Sequence, residues 1–487
     1  MTPAPRCNVA HVVRLTLLLV LAPLLHAARA PNFLFVYTDD QRWDAMGVVQ
    51  REQGERGRFP WFKTPAMDRV AAEGVRFRNA FVVNSLCAPS RAAFMTGRYN
   101  HLNGVANNHT PFPADSVTHA TALRSVGYTT AYIGKWHMGN QSGKRPTFDY
   151  SASFVGQGRY VDCPFEINGQ PTPSKGWVDD VSTDYAIAFM EQHRDRPFSI
   201  TLGFKACHGP FDPPERAKDR FADAKARAVP NLNVRAIYRT PNDTTPVAGK
   251  GTALVTADGE TRINLGYFRC ISAADDNLGR LLDTLDRLGL ADDTVVVFSS
   301  DNGYYHGEHG LGDKRSAYDE SLRIPLLVRY PRLIAKGTLR DDLVLNIDVA
   351  PTFADLGGAA VPASMQGRSW RPLFSGKATD WRQSFLAEYF LEANYPTTPT
   401  VVAVRTQTAK LIKYPGHDEW TELFDLARDP YETINLVRDP AHQALLARMS
   451  AEFDAQVAAT QFRIPDYADK PDDVAAAKQA KKKKKAE

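Results

Sequence analysis

Two short apolar runs end in acids. Asn32 to Thr38 (NFLFVYT) leads into Asp39 and Asp40, and Thr294 to Ser300 (TVVVFSS) leads into Asp301 and Asn302. Read singly, each pair is equally well a turn after a strand. Brought together, three carboxylates and an amide oxygen repel one another unless a hard cation joins them, and oxygen donors of this kind suit Ca2+ or Mg2+. Other apolar runs end in cations and imidazoles. Lys135 and His137 stand in IGKWHMG, Lys205 and His208 in FKACHGPFDPP, and His306, Glu308, His309, Lys314 and Arg315 in DNGYYHGEHGLGDKR. A lone histidine is more often structural than catalytic. Several cations beside a divalent metal, however, make an anion site with enough donors for a tetrahedral sulfate or phosphate. Cys87 lies in NSLCAPSRAAFMTGRY, in a polar turn leading into a helix. Near Arg91 and Lys135, such a cysteine reads as a thiolate of depressed pKa. Sulfur is a poor neighbour for a hard cation, and an oxygen nucleophile fits the site better.

The elements that must position these residues alternate in type. TPAMDRVAAEG reads as a helix with Thr64 as N-cap, Pro65 at its first position and Gly74 past its end. HATALRSVG followed by YTTAYIG reads helix, glycine stop, strand, and DDVSTDYAIAFMEQH followed by FSITLGFKA repeats that order. YFRCISAADDNLGRLLDTLDRLG is a long amphipathic helix before the TVVVFSS strand. Helices alternating with buried apolar strands predict an α/β domain with a mostly parallel sheet. In open sheets of this kind ligands gather at the carboxyl ends of the strands, where the acids and cations stand. After about residue 365 the texture changes. VVAVRTQTAKLIKY and WTELFDL read as strands, and a helix follows with Leu445, Leu446, Met449, Phe453 and Val457 on one face. Ala217 to about Arg262 reads as a long surface loop. The expected division is a signal peptide over 1–30, a catalytic domain over 31–365, a C-terminal β-rich subdomain over 366–470 and a disordered lysine-rich tail over 471–487.

The chain of 487 residues is ample for a large core. Its formal net charge of +4 is concentrated in the two ends, so the body between them gives no argument for nucleic-acid binding. Arg6 and Arg14 precede the apolar run Leu15 to Leu25, and Ala28-Arg29-Ala30 follows as a small-x-small cleavage pattern. The run is shorter than the roughly 20 residues that span a bilayer. The expectation is export without stable membrane insertion: secreted or periplasmic, or lysosomal or extracellular in a eukaryote. Five cysteines are too few for a disulfide scaffold, and spacing leaves a bridge among Cys163, Cys207 and Cys270 open. Sequons stand at Asn108, Asn140 and Asn242.

CAPSRAAFMTGRY resembles the sulfatase signature Cys-x-Pro-Ser-Arg followed by Thr-Gly-Arg, and GYTTAYIGKWH resembles the second signature of that family. TPAMDRVAAEGVRFRNAFV, DDTVVVFSSDNG and GEHGLGDKRSAYDESLRIPLLVRYP are similar to it as well, so the resemblance spans roughly Pro31 to Leu436. It implies the formylglycine-dependent type within the alkaline phosphatase superfamily, with an alkaline-phosphatase-like α/β fold. By resemblance, a separate maturation enzyme, formylglycine-generating or equivalent, oxidises Cys87 to Cα-formylglycine. The hydrated aldehyde then supplies an oxygen nucleophile for sulfur. His208 and Lys314 serve the leaving alcohol and the sulfate oxygens, His137 helps release sulfate, and Arg91 and Lys135 orient the diol. Asp39, Asp40, Asp301 and Asn302 carry over as metal ligands with position 87 completing the set, and Ca2+ is the usual ion. Ser90 serves the turn and recognition by the maturation enzyme. Glu308 and His309 are read either as reaching the substrate or as structural.

FDYSASFVGQGRYVDCPFEINGQ, KGWVDDVSTDYAIAFM and NHLNGVANN resemble, more loosely, N-acetylglucosamine-6-sulfatases and extracellular heparan endosulfatases. The GKWH stretch departs from some of that branch. The implied substrate is a sulfated carbohydrate, with glucosamine 6-sulfate as the candidate ester. Two other readings stand beside it. One is a phosphoester or phosphonate hydrolase of the same superfamily. The other is a non-catalytic binder of sulfated glycans in which Cys87 is never converted.

Overall fold

The computed structural model describes residues 1–2, 30–239, 260–376, 378–474 and 477. The apolar run of the N-terminal segment, the sequon at Asn242, the later part of the expected surface loop and most of the lysine tail lie outside the described residues. Among the described residues, no helix is long and apolar enough to cross a membrane.

The strands of the central sheet are β1 (Asn32–Thr38), β2 (Val75–Phe77), β3 (Thr129–Lys135), β4 (Tyr150–Phe154), β5 (Phe165–Ile167), β6 (Gln170–Thr172), β7 (Phe198–Gly203), β8 (Thr294–Ser300), β9 (Leu326–Arg329) and β10 (Thr338–Arg340). Their order across the sheet is β10-β2-β9-β8-β1-β7-β3-β4-β5-β6. The five central neighbours, β8-β1-β7-β3-β4, are parallel. The flanks add antiparallel pairs that short apolar segments did not announce: β9 against β8 and β2, and β5 between β4 and β6.

β1 explains why its sequence is apolar without alternation. Phe33, Phe35 and Tyr37 enter the core on one face of the sheet, while Leu34 and Val36 enter the core on the other. A strand covered on both faces has no polar side to display. One face is covered by α1 (Pro65–Glu73), α4 (Val178–His193) and α5 (Leu265–Arg287). The other carries α2 (Cys87–Thr96), α3 (His119–Arg124) and α6 (Val349–Leu356). All ten residues of α2 are buried, and Gly97 ends it in a left-handed conformation. Cys87 is thus the first residue of the helix rather than part of a preceding turn.

The C-terminal region forms a separate antiparallel sheet of β11 (Ser384–Tyr389), β12 (Val401–Thr406), β13 (Ala409–Lys413) and β14 (Glu422–Asp425), in that order. Helix α7 (Gln443–Thr460) covers it. Met449 is buried, and Leu445, Leu446, Phe453 and Val457 pack on the same core that receives Phe33 and Phe35. The described part of the expected surface loop contains short 3-10 turns and a two-residue pairing of Ala226–Arg227 with Glu260–Thr261.

The N-cap of α1 departs from the expectation at Thr64. Thr64 holds the cap position, but its hydroxyl accepts from Gly47 N (2.8 Å) and makes no cap bond. Asp275 of α5 does the capping, accepting from Ala66 N (3.0 Å) and Met67 N (2.8 Å). Burial pushes the Asp275 carboxyl up to about 7, against the pull of those two N–H groups. Its unfolded value is about 3.9. Between those values the folded state holds a proton that the unfolded state has lost, so stability falls as pH rises from about 4 to about 7. Asp275→Asn removes that titration. Its stability, measured by urea denaturation at pH 5 and pH 8, declines less with pH than the wild type's, by up to about 2.7 kcal/mol. Identical slopes in the two proteins would contradict this account.

Candidate active site

Thr38 of β1 pairs in register with Ser300 of β8, so the residues that follow each strand lie side by side. Asp301 N donates to Thr38 O (3.0 Å), and Asp40 N donates to Asp301 Oδ1 (3.1 Å). The chain beyond β7 joins from the other side, with Asp39 N on Ala206 O and Cys207 N on Asp39 O, both at 2.8 Å. Carboxylate oxygens of Asp39, Asp40 and Asp301 all lie within 4.8 Å of one another and are buried. Parallel packing of four strand ends, β8-β1-β7-β3, therefore gathers the acids and the Lys135, His137, Lys205 and His208 segments at one edge.

Lys135 reaches this edge because Gly134 has φ +82° and lies hard against β7, where a Cβ would meet Gly203 O at 2.1 Å. Lys135 Nζ contacts Asp39 Oδ2 and donates to Gln157 Oε1 (2.5 Å). Lys205 Nζ donates to Gln157 O (3.0 Å). Helix α2 brings Arg91 beneath the acids, one turn after Cys87. Its Nε donates to Asp301 Oδ2 (2.8 Å), Nη2 to Asp39 Oδ2 (3.2 Å) and Nη1 to Lys135 O (2.5 Å). Lys314 Nζ donates to Asp40 Oδ2 (2.9 Å). Asn302 Nδ2 donates to Asp40 Oδ1 (2.7 Å), while its Oδ1 is buried with no hydrogen-bond donor.

These placements set the charges. Burial would raise Asp39, but Lys135, His208 and Arg91 outweigh it and hold the carboxyl well below its ordinary range. Burial lifts Asp40 to about 7, with Asp39 and Asp301 adding to the rise and Lys314 opposing it. Asp301 is raised by burial and by Asp39. Burial and Lys135 hold His137 and His208 well below the usual imidazole value, so both are neutral. Lys314 stays protonated because Asp40 outweighs its burial. Lys205 comes down to about 8 through burial and Lys135.

Cys87 Sγ lies 3.4 Å from Asp39 Oδ1. Burial and the charge of Asp39 push its thiol well up, which overturns the expectation of a depressed pKa. Position near cations does not make a thiolate when the thiol is buried beside a carboxylate. The four described cysteines, Cys87, Cys163, Cys207 and Cys270, are all free.

The donor set fits a hard divalent cation. Three carboxylates and the orphaned Asn302 Oδ1 supply only oxygen, and an oxygen at position 87 would match them where sulfur does not. The side chains that would hold it are Asp39, Asp40, Asp301 and Asn302.

Glu308 and His309 lie elsewhere. The Glu308 carboxylate is taken by Arg42 (2.7 Å) and Arg58, and it accepts from His306 N (2.6 Å). His309 stacks on Tyr318 and contacts Asn231. His306 is enclosed by Phe59, Tyr267, Phe268 and Tyr304. None of these partners belongs to the carboxylate cluster, and all three residues read as structural. Gln157 is the site residue that spacing could not reveal, because it follows an irregular segment after β4 and carries no charge.

A family model described as Sulfatase matches residues 31–359, and one described as N-sulphoglucosamine sulphohydrolase, C-terminal, matches residues 307–459. The chain is 32% identical to an N-acetylglucosamine-6-O-sulfatase of Bacteroides thetaiotaomicron, over 86% of this chain and 87% of that one. It superposes with TM-score 0.78 on a solved structure described as a complex with its substrate D-glucosamine-2-N,6-O-disulfate. That match has 29% identity and covers 91% of this chain and 100% of that one. A phosphonate monoester hydrolase of Agrobacterium radiobacter shares the fold at TM-score 0.70 with 21% identity, covering 88% of this chain and 96% of that one.

Ca2+ added to chelator-treated protein should raise its thermal midpoint if the converged acids hold it in the folded state. At a hundredfold excess over Kd the gain is about 2.7 kcal/mol. Asp301→Ala should lose most of that gain in the same thermal-shift titration. An equal gain in the variant would remove Asp301 from the ligand set.

Proposed function

The chain belongs to the sulfatase family, and from that premise we propose that it hydrolyses the sulfate ester of a carbohydrate, glucosamine 6-sulfate first. In this reading Cys87 is matured to Cα-formylglycine, and Asp39, Asp40, Asp301 and Asn302 hold Ca2+ or Mg2+. The observation that carries it is the seating of Cys87 at the carboxylate cluster, with Lys135, Lys314, His137 and His208 around the same edge. The bacterial relative named as an N-acetylglucosamine-6-O-sulfatase supports the choice of sugar, as does the solved complex with a glucosamine disulfate. The apolar run Leu15–Leu25 supports export.

When bound, the cation offsets charge on the sulfate oxygens, and the hydrated aldehyde at position 87 offers an oxygen nucleophile. The chain's own side chains do the rest. Arg91 fixes Asp39 and Asp301 from below through charged hydrogen bonds. Lys135 and Lys314 present N–H donors to the sulfate oxygens. His208 Nδ1 lies 2.8 Å from Gly209 O, so Nδ1 carries the proton and Nε2 keeps its lone pair. Burial and the charges of Lys135 and Lys314 suppress protonation of His208, and a sulfate monoanion entering the site offsets the two lysines. His208 can then carry a proton to the leaving alkoxide. His137 Nδ1 is buried without a partner, which leaves it able to take a proton as sulfate departs.

Ser90 is fully buried and accepts from Asn346 Nδ2 (3.0 Å), and Cys87 and Arg91 are buried beside it. The folded chain therefore does not display the Cys87–Arg91 stretch, and a maturation enzyme must meet it before α2 packs.

Cys87→Ala should abolish turnover while retaining the wild-type circular dichroism and thermal midpoint to within a few degrees, since it removes only a buried sulfur. Mass spectrometry of the tryptic peptide Asn79–Arg91 should show the Cys87 side chain as an aldehyde in active protein. Retained activity in the variant would refute the nucleophile assignment. A higher kcat/KM on a phosphate monoester than on the matching sulfate ester would favour the phosphoester reading. An unmodified Cys87 with sulfated-glycan binding and no turnover would favour the binder.

A further inference from the structure

A cavity of about 320 Å³ opens beside the carboxylate cluster. On the catalytic side it is lined by His137 and by Gln157, the partner of Lys135. An ester with its sulfate on the cluster can place its alcohol portion here. The far side is lined by Asn108, His109, Asn394 and Tyr395. The cavity also touches Arg315, whose guanidinium is engaged by Asp313 (2.6 Å) and Glu392 (2.5 Å) and lies 3.9 Å over the Tyr395 ring. Neutral amides, an imidazole and an aromatic ring suit a hydroxylated pyranose, whose edges donate and accept hydrogen bonds and whose faces are partly apolar.

The far wall is built. Asn108 Oδ1 accepts from Ala88 N (3.0 Å), which ties the wall to the residue next to Cys87. Asn107 Oδ1 accepts from His109 N and from Thr110 Oγ1, both at 2.9 Å, fixing the loop that carries His109. One carboxylate from the C-terminal segment then holds both loops. Asp469 Oδ2 accepts from Ala393 N (2.7 Å), and Asp469 Oδ1 lies 3.4 Å from Asn107 Nδ2. Asn394 Nδ2 and His109 Nε2 meet at 3.4 Å as a result.

We propose that His109 and Asn394, set together across the cavity by Asp469, select the sugar ring of the sulfate ester. The inference rests on the carbohydrate-sulfatase reading and goes beyond it by naming the residues that read the alcohol. His109 and Asn394 contact the ring, and Asp469 is a positioning residue. A site that hydrogen-bonds a hydroxyl discriminates strongly against a ligand lacking it.

The test compares kcat/KM on glucosamine 6-sulfate with kcat/KM on 4-nitrophenyl sulfate, which has no ring hydroxyls. In His109→Ala and in Asn394→Ala the ratio of the two should fall at least tenfold. Both side chains are exposed, and circular dichroism checks the fold. In Asp469→Ala the fall should come through KM on the sugar ester rather than through kcat. A smaller fall in both cavity variants overturns the proposal, and in one alone removes that residue from it. A fall in Asp469→Ala carried by kcat on both esters removes its positioning role. Wild-type protein that hydrolyses the aryl ester but not the sugar ester overturns the selection of this ring. Wild-type protein inert on both esters overturns the sulfatase reading beneath it.

Discussion

Asp39, Asp40 and Asp301 place three carboxylates within a few ångströms of one another where water is excluded. Like charges at that separation in a poorly screened interior repel strongly, and burial of each charge costs further free energy. The neighbourhood is organised around that repulsion. Arg91 bridges Asp39 and Asp301, Lys135 contacts Asp39, and Lys314 binds Asp40. Burial, with Asp39 and Asp301 adding to it, still lifts Asp40 to about 7 against Lys314. A divalent cation is the natural complement, and the bare Asn302 Oδ1 is placed to join it.

The same field decides which groups can react. Cys87 is buried with its Sγ 3.4 Å from Asp39 Oδ1, so its thiol stays protonated. His137 and His208 stay neutral because burial, and then the charge of Lys135, oppose their protonation. A bound anion offsets the lysines' part of that balance, which couples binding to the proton affinity of the imidazoles.

The C-terminal sheet supports the edge from outside. Arg405 of β12 binds Asp319 at 2.8 Å, and Lys410 of β13 binds Asp319 at 2.6 Å and Glu432 at 2.7 Å. Asp319 follows Lys314 and Arg315 by only a few residues, so this buried network anchors the segment that carries them. Glu392, just beyond β11, adds its bond to Arg315. Removing one partner from such a network strands a buried charge, which is why the small sheet and the catalytic edge hold together as one packed unit.

Much of the frame was legible in the chain itself. The apolar runs of β1 and β8 end in acids, and glycine and proline mark the ends of α1, so element type and the strand-end placement of Asp39, Asp301, Lys135 and His208 follow from local pattern. The short Cys-x-Pro-Ser-Arg motif pointed to the family because its residues are adjacent in sequence. What stayed hidden depends on distant contacts. Thr64 holds the cap position, yet Asp275, more than two hundred residues away, does the capping. The ionisation of Cys87, the separation of Glu308 and His309 from the acids, and the role of Gln157 were decided by burial and neighbours that no spacing encodes. Local backbone preference and side-chain polarity are written residue by residue. Proton affinity and ligand geometry are set by groups from four strand ends and a buried helix, and only the folded chain brings those together.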